Sequence, residues 1–341
     1  MRIAVDAMGS DSGPEVVVRG AISAAQAAGD ELSVTLVGEE GAIWQALTDS
    51  RARDLPIFVS HARQQVEMGE KAQRAFRRKR DSSIAVCAAL VREGAADALV
   101  SAGNTAAVVT TALLSLGRMR GIARPAIASV IPTSRGRCVI LDVGANADCK
   151  PIHLYQFAQL GRIYAERALG ISAPRVGLLN IGEEPTKGNA VTQAAYRLLD
   201  ADREALGFIG NVEGRDIFAG RADVVVCDGF TGNVILKLAE SLASVARRVF
   251  REEVRRSPFY SLGALLVRPA FTGVASRLNY EEHGGALLLG TRGVSVIGHG
   301  QSSSRAIRNA ILVAARSVRG GLEAAVLEAM GAGEAAAATG G

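Results

Sequence analysis

The sequence predicts an α/β protein whose mainly parallel sheet is covered by helices on both faces, and three observations predict it. Short runs rich in Val and Ile recur along the chain, most of them separated by segments with apolar residues at three- and four-residue spacing. Apolar residues make up 48% of the 341 residues, ample for a buried core. Finally, CVILDVGANADCKP (138–151), VGLLNIGEEPTKGN (176–189) and VVVCDGFTGN (224–233) repeat one design, an apolar β-like run that stops at a loop dense in Gly, Asn and acid or lysine. A strand ending in such a loop and followed by a helix aims backbone N–H groups and a helix N-terminus at whatever lies above the sheet edge.

In chain order, strands are predicted at 2–5, 33–37, 57–59, 97–100, 126–131, 138–142, 175–181, 206–210, 222–227 and 294–297. Helices are predicted at 14–28, 82–92, 104–116, 153–169, 189–199 and 231–255. The first opens with Ser12 or Gly13 as cap, Pro14 at the first helical position and Glu15 in the first turn. In a parallel sheet the loops 6–11, 101–105, 142–150, 180–189, 210–216 and 228–233 would open on one edge. No internal repeat or linker divides the chain, so residues 1–330 are read as a single α/β domain. The segment 241–279 is a helical excursion from it, and 331–341, which lacks large apolar residues, is a disordered tail. Within the excursion, Arg247, Arg248, Arg251, Arg255 and Arg256 precede FYSLGALLVRPAF (259–271). A dimer-forming helical hairpin with a solvated charged face is the plain reading; contact with a membrane or a partner is the sharper one.

Composition excludes several functions. A net charge of +5 favours acidic partners in general, and 4% aromatic content argues against a base-stacking, nucleic-acid surface. Cys87, Cys138, Cys149 and Cys227 lie far apart and the N-terminus lacks a signal-peptide hydrophobic region, which points to reduced thiols and a cytoplasmic protein. The uncharged run 101–117 contains Asn104 and several threonines and falls short of the roughly 20 apolar residues of a membrane span. Neither G-x-G-x-x-G after a strand nor G-x-x-x-x-G-K-[ST] occurs, and no G-x-S-x-G elbow is found. His61, His153, His283 and His299 show no paired metal-ligand spacing, although Asp142, Asp148, Glu183, Glu184 and Asp228 could supply a hard-cation site. No metal or other cofactor is expected.

The chemistry therefore rests on the loops. Basic residues are mostly Arg, and the lysines are Lys71, Lys79, Lys150, Lys187 and Lys237; a Lys kept in such a chain suits a site that wants a compact point charge. Cys149 beside Lys150 is the best covalent candidate, against the plainer reading of a small, partly buried thiol. A pocket of Lys, Asn and Gly with carboxylates but no nucleophile of its own suits a nucleophile that arrives as substrate, for example inorganic phosphate attacking an activated carbonyl. Lys187 and Lys150 would neutralise the phosphate. Asn146, Asn189 and Asn233 with nearby N–H groups would align it and stabilise the oxyanion, unless they serve only as turn residues. Asp228 and Glu183 are candidates for orienting Lys and Asn side chains or handling protons. Asn104, Thr105 and Gly9, in two further loops, complete the substrate-binding set.

DAMGSD (6–11), RRKRDSS (77–83), SAGNT (101–105), DVGANADCKP (142–151), LLNIGEEPTKGN (178–189), NVEGRDI (211–217), CDGFTGNVILK (227–237) and YEEHGGALLLG (280–290) together resemble the bacterial phosphate acyltransferases of the PlsX family. The resemblance implies a Rossmann-like three-layer α/β/α fold similar to phosphotransacetylases and isopropylmalate dehydrogenases. It also implies conversion of long-chain acyl carrier protein and inorganic phosphate to acyl phosphate in phospholipid synthesis. A cytoplasmic homodimer is implied, associated peripherally with the membrane and handing its product to a downstream membrane acyltransferase. On this view Arg247, Arg251 and Arg255 steer the acidic carrier protein, while Leu262, Leu265 and Leu266 touch lipid. Asn211 stands where the family commonly has Phe. Rival readings are a dehydrogenase or coenzyme A-dependent phosphotransacetylase of related fold, which NAD titration would separate, and a non-catalytic membrane-binding module.

Overall fold

The computed structural model describes residues 1–50, 52, 54–269 and 284–339. Parts of the expected excursion (270–279) and of the YEEHGGALLLG motif (280–283), together with residues 340–341, lie outside them. The strands are β1 (Arg2–Asp6), β2 (Ser33–Gly38), β3 (Ile57–His61), β4 (Ala98–Ser101), β5 (Ala126–Thr133), β6 (Gly136–Leu141), β7 (Val176–Leu179), β8 (Phe208–Val212), β9 (Val224–Val226), β10 (Ala286–Leu289) and β11 (Val294–Ile297). The helices are α1 (Pro14–Ala28), α2 (Glu40–Asp49), α3 (Ala72–Arg78), α4 (Ser83–Arg92), α5 (Thr105–Thr111), α6 (Pro151–Arg167), α7 (Ala190–Ala201), α8 (Arg203–Leu206), α9 (Gly214–Ala219), α10 (Gly229–Arg255), α11 (Pro258–Leu266), α12 (Ser304–Arg319) and α13 (Leu322–Thr339).

The strands form one 11-stranded sheet in the order β3-β2-β1-β4-β11-β10-β5-β6-β9-β7-β8. Side chains alternate across it, so Ile3 and Val5 of β1 join one apolar cluster and Ala4 the other. The first cluster takes in α1, α2, α6, α7, α12 and α13; the second takes in α4, α5, α9 and the start of α10. The result is the expected three-layer α/β/α architecture.

α1 shows how the sequence builds such a layer. Gly13 caps it at φ 78°, a conformation glycine adopts without strain, and Pro14 begins the helix as expected. Val17, Val18, Ala21, Ile22, Ala24 and Ala25 then form its buried stripe.

One expectation fails. β10 is antiparallel to β11 and β5, and β5 to β6, while the remaining pairs are parallel. Two parallel wings, β3-β2-β1-β4-β11 and β6-β9-β7-β8, therefore run in opposite senses. Loops 6–11 and 101–105 leave one edge of the sheet; loops 142–150, 180–189, 210–216 and 228–233 leave the other. The reversal arises at the hairpin where Thr133 pairs with Gly136 and at β10, a strand of Ala and Leu without the β-branched residues that announce the others. The backbone of 331–339 also differs from the expected tail: it continues α13, in keeping with the helix propensity of its alanines.

Candidate active site

The ends of the adjacent strands β6, β9 and β7 carry the three loops that share one design. Asp142, at the end of β6, is fully buried and organises the first of them. One of its oxygens accepts N–H bonds from Ile127 (3.0 Å), Gly144 (3.1 Å) and Ala145 (3.0 Å). The other accepts from the Asn146 backbone N–H (2.6 Å) and side-chain amide (2.8 Å). Burial nevertheless raises its carboxyl pKa, the hydrogen bonds opposing that effect. A carboxylate committed in this way has no lone pair to spare for the cation site considered from sequence. Among the described residues no group of three or more His, Cys, Asp or Glu could hold a metal.

The start of α10 is pressed against this loop. The Gly229 N–H donates to the Asn146 carbonyl (2.7 Å). A Cβ at Gly229 would lie 2.7 Å from that carbonyl oxygen, and one at Gly232 would lie 1.9 Å from the Asp142 carbonyl oxygen. The two glycines of DGFTGN, three apart on one helix face, are thus what lets α10 approach. Asp228 caps α10, one oxygen accepting from the Thr231 N–H (2.8 Å) and the other from its hydroxyl (2.9 Å). Asn233 is exposed next to Gly144, whose added Cβ would be 3.9 Å from the Asn233 Oδ1.

Lys150 is exposed and immediately precedes α6; its backbone N–H donates to His153 Nδ1 (3.1 Å). Burial, then Arg124 and Lys150, lower the His153 pKa and keep that nitrogen an acceptor. Sequence reading missed this partner, although the three-residue offset from Lys150 to His153 is a capping spacing. Lys187 is exposed, and among the described residues its ammonium has no carboxylate partner. Its loop is held by Asn180, which donates to the Lys187 carbonyl (3.1 Å), and by Asn211, which donates to the Glu184 carbonyl (2.8 Å). Asn189 caps α7 by accepting from the Thr192 N–H (2.9 Å).

Two candidates make bonds within the protein. Both amide hydrogens of Asn146 are used, on the Pro125 carbonyl (2.7 Å) and on Asp142, so it holds the loop. Glu183 forms a forked pair with Arg221 (2.5 and 3.1 Å), which holds its pKa below the usual carboxylate range. Cys149 is neither fully buried nor activated: burial, then Asp142 and Asp228, push its thiol up to about 12. The small-thiol reading is the one that fits.

Gly9, Asn104 and Thr105 lie on the other edge, at the ends of β1 and β4. Asn104 caps α5 by accepting from the Ala107 N–H (3.0 Å) and donates to the carbonyls of Met68 (2.7 Å) and Glu70 (3.1 Å). Here the buried Asp6 accepts from the Ser101 hydroxyl (2.7 Å), which in turn accepts from the Gly103 N–H (3.1 Å). On α10, Arg247, Arg251 and Arg255 are exposed. Val234, Leu238, Leu242, Val245 and Val249 are exposed along the same helix, and Leu262, Leu265 and Leu266 on α11. No helix among the described residues is long and apolar enough to cross a membrane.

Comparison with known proteins first defines the class. The structure superposes on the phosphotransacetylase EutD of Staphylococcus aureus with a TM-score of 0.62, 17% identity and 93% and 94% of the two chains covered. A phosphotransacetylase of Streptococcus pyogenes gives 0.61 with 18% identity and 94% of each chain. These likenesses establish the fold. The family follows from the sequence: residues 1–324 match the model described as "Fatty acid synthesis protein". The phosphate acyltransferase of Heliobacterium modesticaldum is 51% identical over 330 residues, covering 96% of this chain and 97% of that one. That of Pelotomaculum thermopropionicum is 50% identical over 318 residues, covering 93% and 92%. The chain belongs to the phosphate acyltransferase family, and it is an enzyme of the acyltransferase class.

Proposed function

We propose that the loops at the ends of β6, β9 and β7 bring inorganic phosphate to the thioester carbonyl of a long-chain acyl carrier protein and that phosphate attacks directly. A phosphate oxygen bonds to the carbonyl carbon, the C–S bond breaks, and the proton of hydrogen phosphate ends on the departing thiol. Acyl phosphate and free carrier result, and no acyl-enzyme forms. The observation that carries this reading is that exposed Lys150 and Lys187 lie on the loops after β6 and β7, the two strands flanking β9, while the Cys149 thiol next to Lys150 is pushed up to about 12 by burial. In it Lys187 and Lys150 neutralise phosphate, and Asn233 with the first turn of α10 faces the carbonyl. Asp228, with both oxygens on Thr231, positions that turn. Asn189 positions the start of α7 beside Lys187.

The exposed apolar stripe of α10 and α11, flanked by arginines, supports peripheral contact with a membrane surface and delivery of product to a membrane acyltransferase. Pairing of the chain as a cytoplasmic homodimer belongs to the same reading. The deciding experiment incubates the protein with long-chain acyl carrier protein and phosphate and looks for acyl phosphate by mass. Absence of product at every chain length refutes the proposal.

A further inference from the structure

The run KAQRAFRRKR (71–80) is used neither by the core nor by the site at β6, β9 and β7. It places six cations in ten residues of a chain whose net charge is only +5. Lys79 is neutralised, by Glu70, and donates to the Gln65 carbonyl (2.8 Å). Lys71, Arg74, Arg77, Arg78 and Arg80 are exposed, and among the described residues none of these side chains forms an ion pair or hydrogen bond. Like charges three and four apart on a helix repel one another, so the cluster opposes the folding of α3. The fold holds it in place all the same. Ala75 is buried, α3 packs on α5, and Asn104 ties the loop before α3 to the end of β4 through Met68 and Glu70. The outcome is an open groove of about 510 Å³ lined by Gly69, Glu70, Lys71, Arg74, Arg78 and Lys79.

We propose that this surface docks the acidic carrier protein that delivers the acyl thioester, an inference that rests on the function proposed above. Guanidinium groups fixed on a short helix match a row of carboxylates by forked pairing. A lipid surface is the poorer fit, because α3 has no exposed large apolar side chain to insert. The helix α10, the carrier site expected from sequence, has the opposite character: its arginines alternate with Glu252 and Glu253, and apolar side chains stand beside them. Docking at α3 sets the carrier at the mouth of the loops that hold Gly9, Asn104 and Thr105.

The test is the variant Arg74→Glu/Arg77→Glu/Arg78→Glu, assayed with acyl carrier protein and with the same acyl group on pantetheine alone. KM for the acyl carrier protein should rise at least tenfold, with KM for phosphate and turnover of the pantetheine thioester unchanged. An unchanged carrier KM overturns the inference, and so does an equal loss with both donors, which would mark a damaged fold or active site. Titration calorimetry of the unacylated carrier reads docking without chemistry. Binding by the wild type and its loss in the variant uphold the docking face even if no acyl phosphate is ever formed, the result that would sink only the proposed reaction. A variant that keeps carrier binding but no longer floats with vesicles of anionic phospholipid overturns the inference in favour of a membrane role.

Discussion

Each wing of the sheet buries an aspartate at the end of a strand, and the two are used differently. Asp6 accepts the Ser101 hydroxyl from the neighbouring strand on one oxygen and the Met8 N–H of its own loop (3.1 Å) on the other, so the carboxylate staples the loops after β1 and β4 together. Asp142 faces N–H groups, all but one of them from its own loop, and shapes that loop by itself. A hydroxyl can reverse its bond and an N–H cannot. The first loop pair is therefore a tolerant joint beside a basic surface, the second an inflexible frame for the loop that carries Lys150. The strand senses of the two wings oppose one another.

The sharpest way to break the comparison is to make both carboxylates amides. Asp142→Asn sets an NH2 group against N–H donors and leaves at least two without an acceptor, at a cost of about 3 kcal/mol. Asp6→Asn keeps an oxygen for the Met8 N–H and lets the Ser101 hydroxyl accept instead of donate, at a cost of about 1 kcal/mol. Denaturant unfolding of the two variants should show that ordering, and equal losses would end the distinction. Next in size is Gly232→Ala. Its Cβ would meet the Asp142 carbonyl oxygen at 1.9 Å, backbone against backbone, so α10 must shift. A loss of roughly 2–3 kcal/mol in stability is expected, with activity falling beyond it, measured on the folded fraction.

Much of this frame was legible beforehand. The ten predicted strands are present because Val and Ile runs bounded by Gly, Asn and Asp leave little choice, and the three loops each lead into a helix as their composition implied. Strand direction was not legible, since periodicity reports burial and not sense; only the short TSRGR connection between β5 and β6 hinted at a hairpin. Side-chain duty was the hardest to read. Asn146 and Asn233 look alike in sequence, but one is consumed by Pro125 and Asp142 while the other stays exposed. Glu183 finds Arg221 across a separation that no local pattern encodes.

Within the Asp142 wing, Lys187 and Cys149 separate phosphate binding from covalent catalysis. Lys187→Ala should raise KM for phosphate about tenfold, roughly 1.4 kcal/mol of lost binding, with little change in KM for the acyl donor. Cys149→Ala should keep most activity. A folded but inactive Cys149→Ala enzyme would overturn direct attack by phosphate.

The smallest expected effect is in the pH dependence of stability. Burial raises the carboxyl pKa of both Asp6 and Asp142, so the folded state holds these protons more tightly than the unfolded chain, where an Asp titrates near 3.9. The stability each proton adds is fully present below that unfolded value and is lost as pH rises through the raised folded pKa. The slope is at most about 1.4 kcal/mol per pH unit for each group. Glu70 and Glu183, lowered by their bonds to Lys79 and Arg221, act with the opposite sign, and their stability is lost as pH falls through their folded pKa values. The wild-type curve mixes both trends, whereas the difference between wild type and Asp6→Asn isolates one of them. Measured by urea unfolding from pH 4 upwards, that difference should shift steadily against the wild type and then level off above the raised pKa. A difference that stays flat throughout would mean that the hydrogen bonds from Ser83, Ser101, Met8 and Gly9 together offset burial at Asp6, and the two aspartates would then differ in electrostatics as well as in partners.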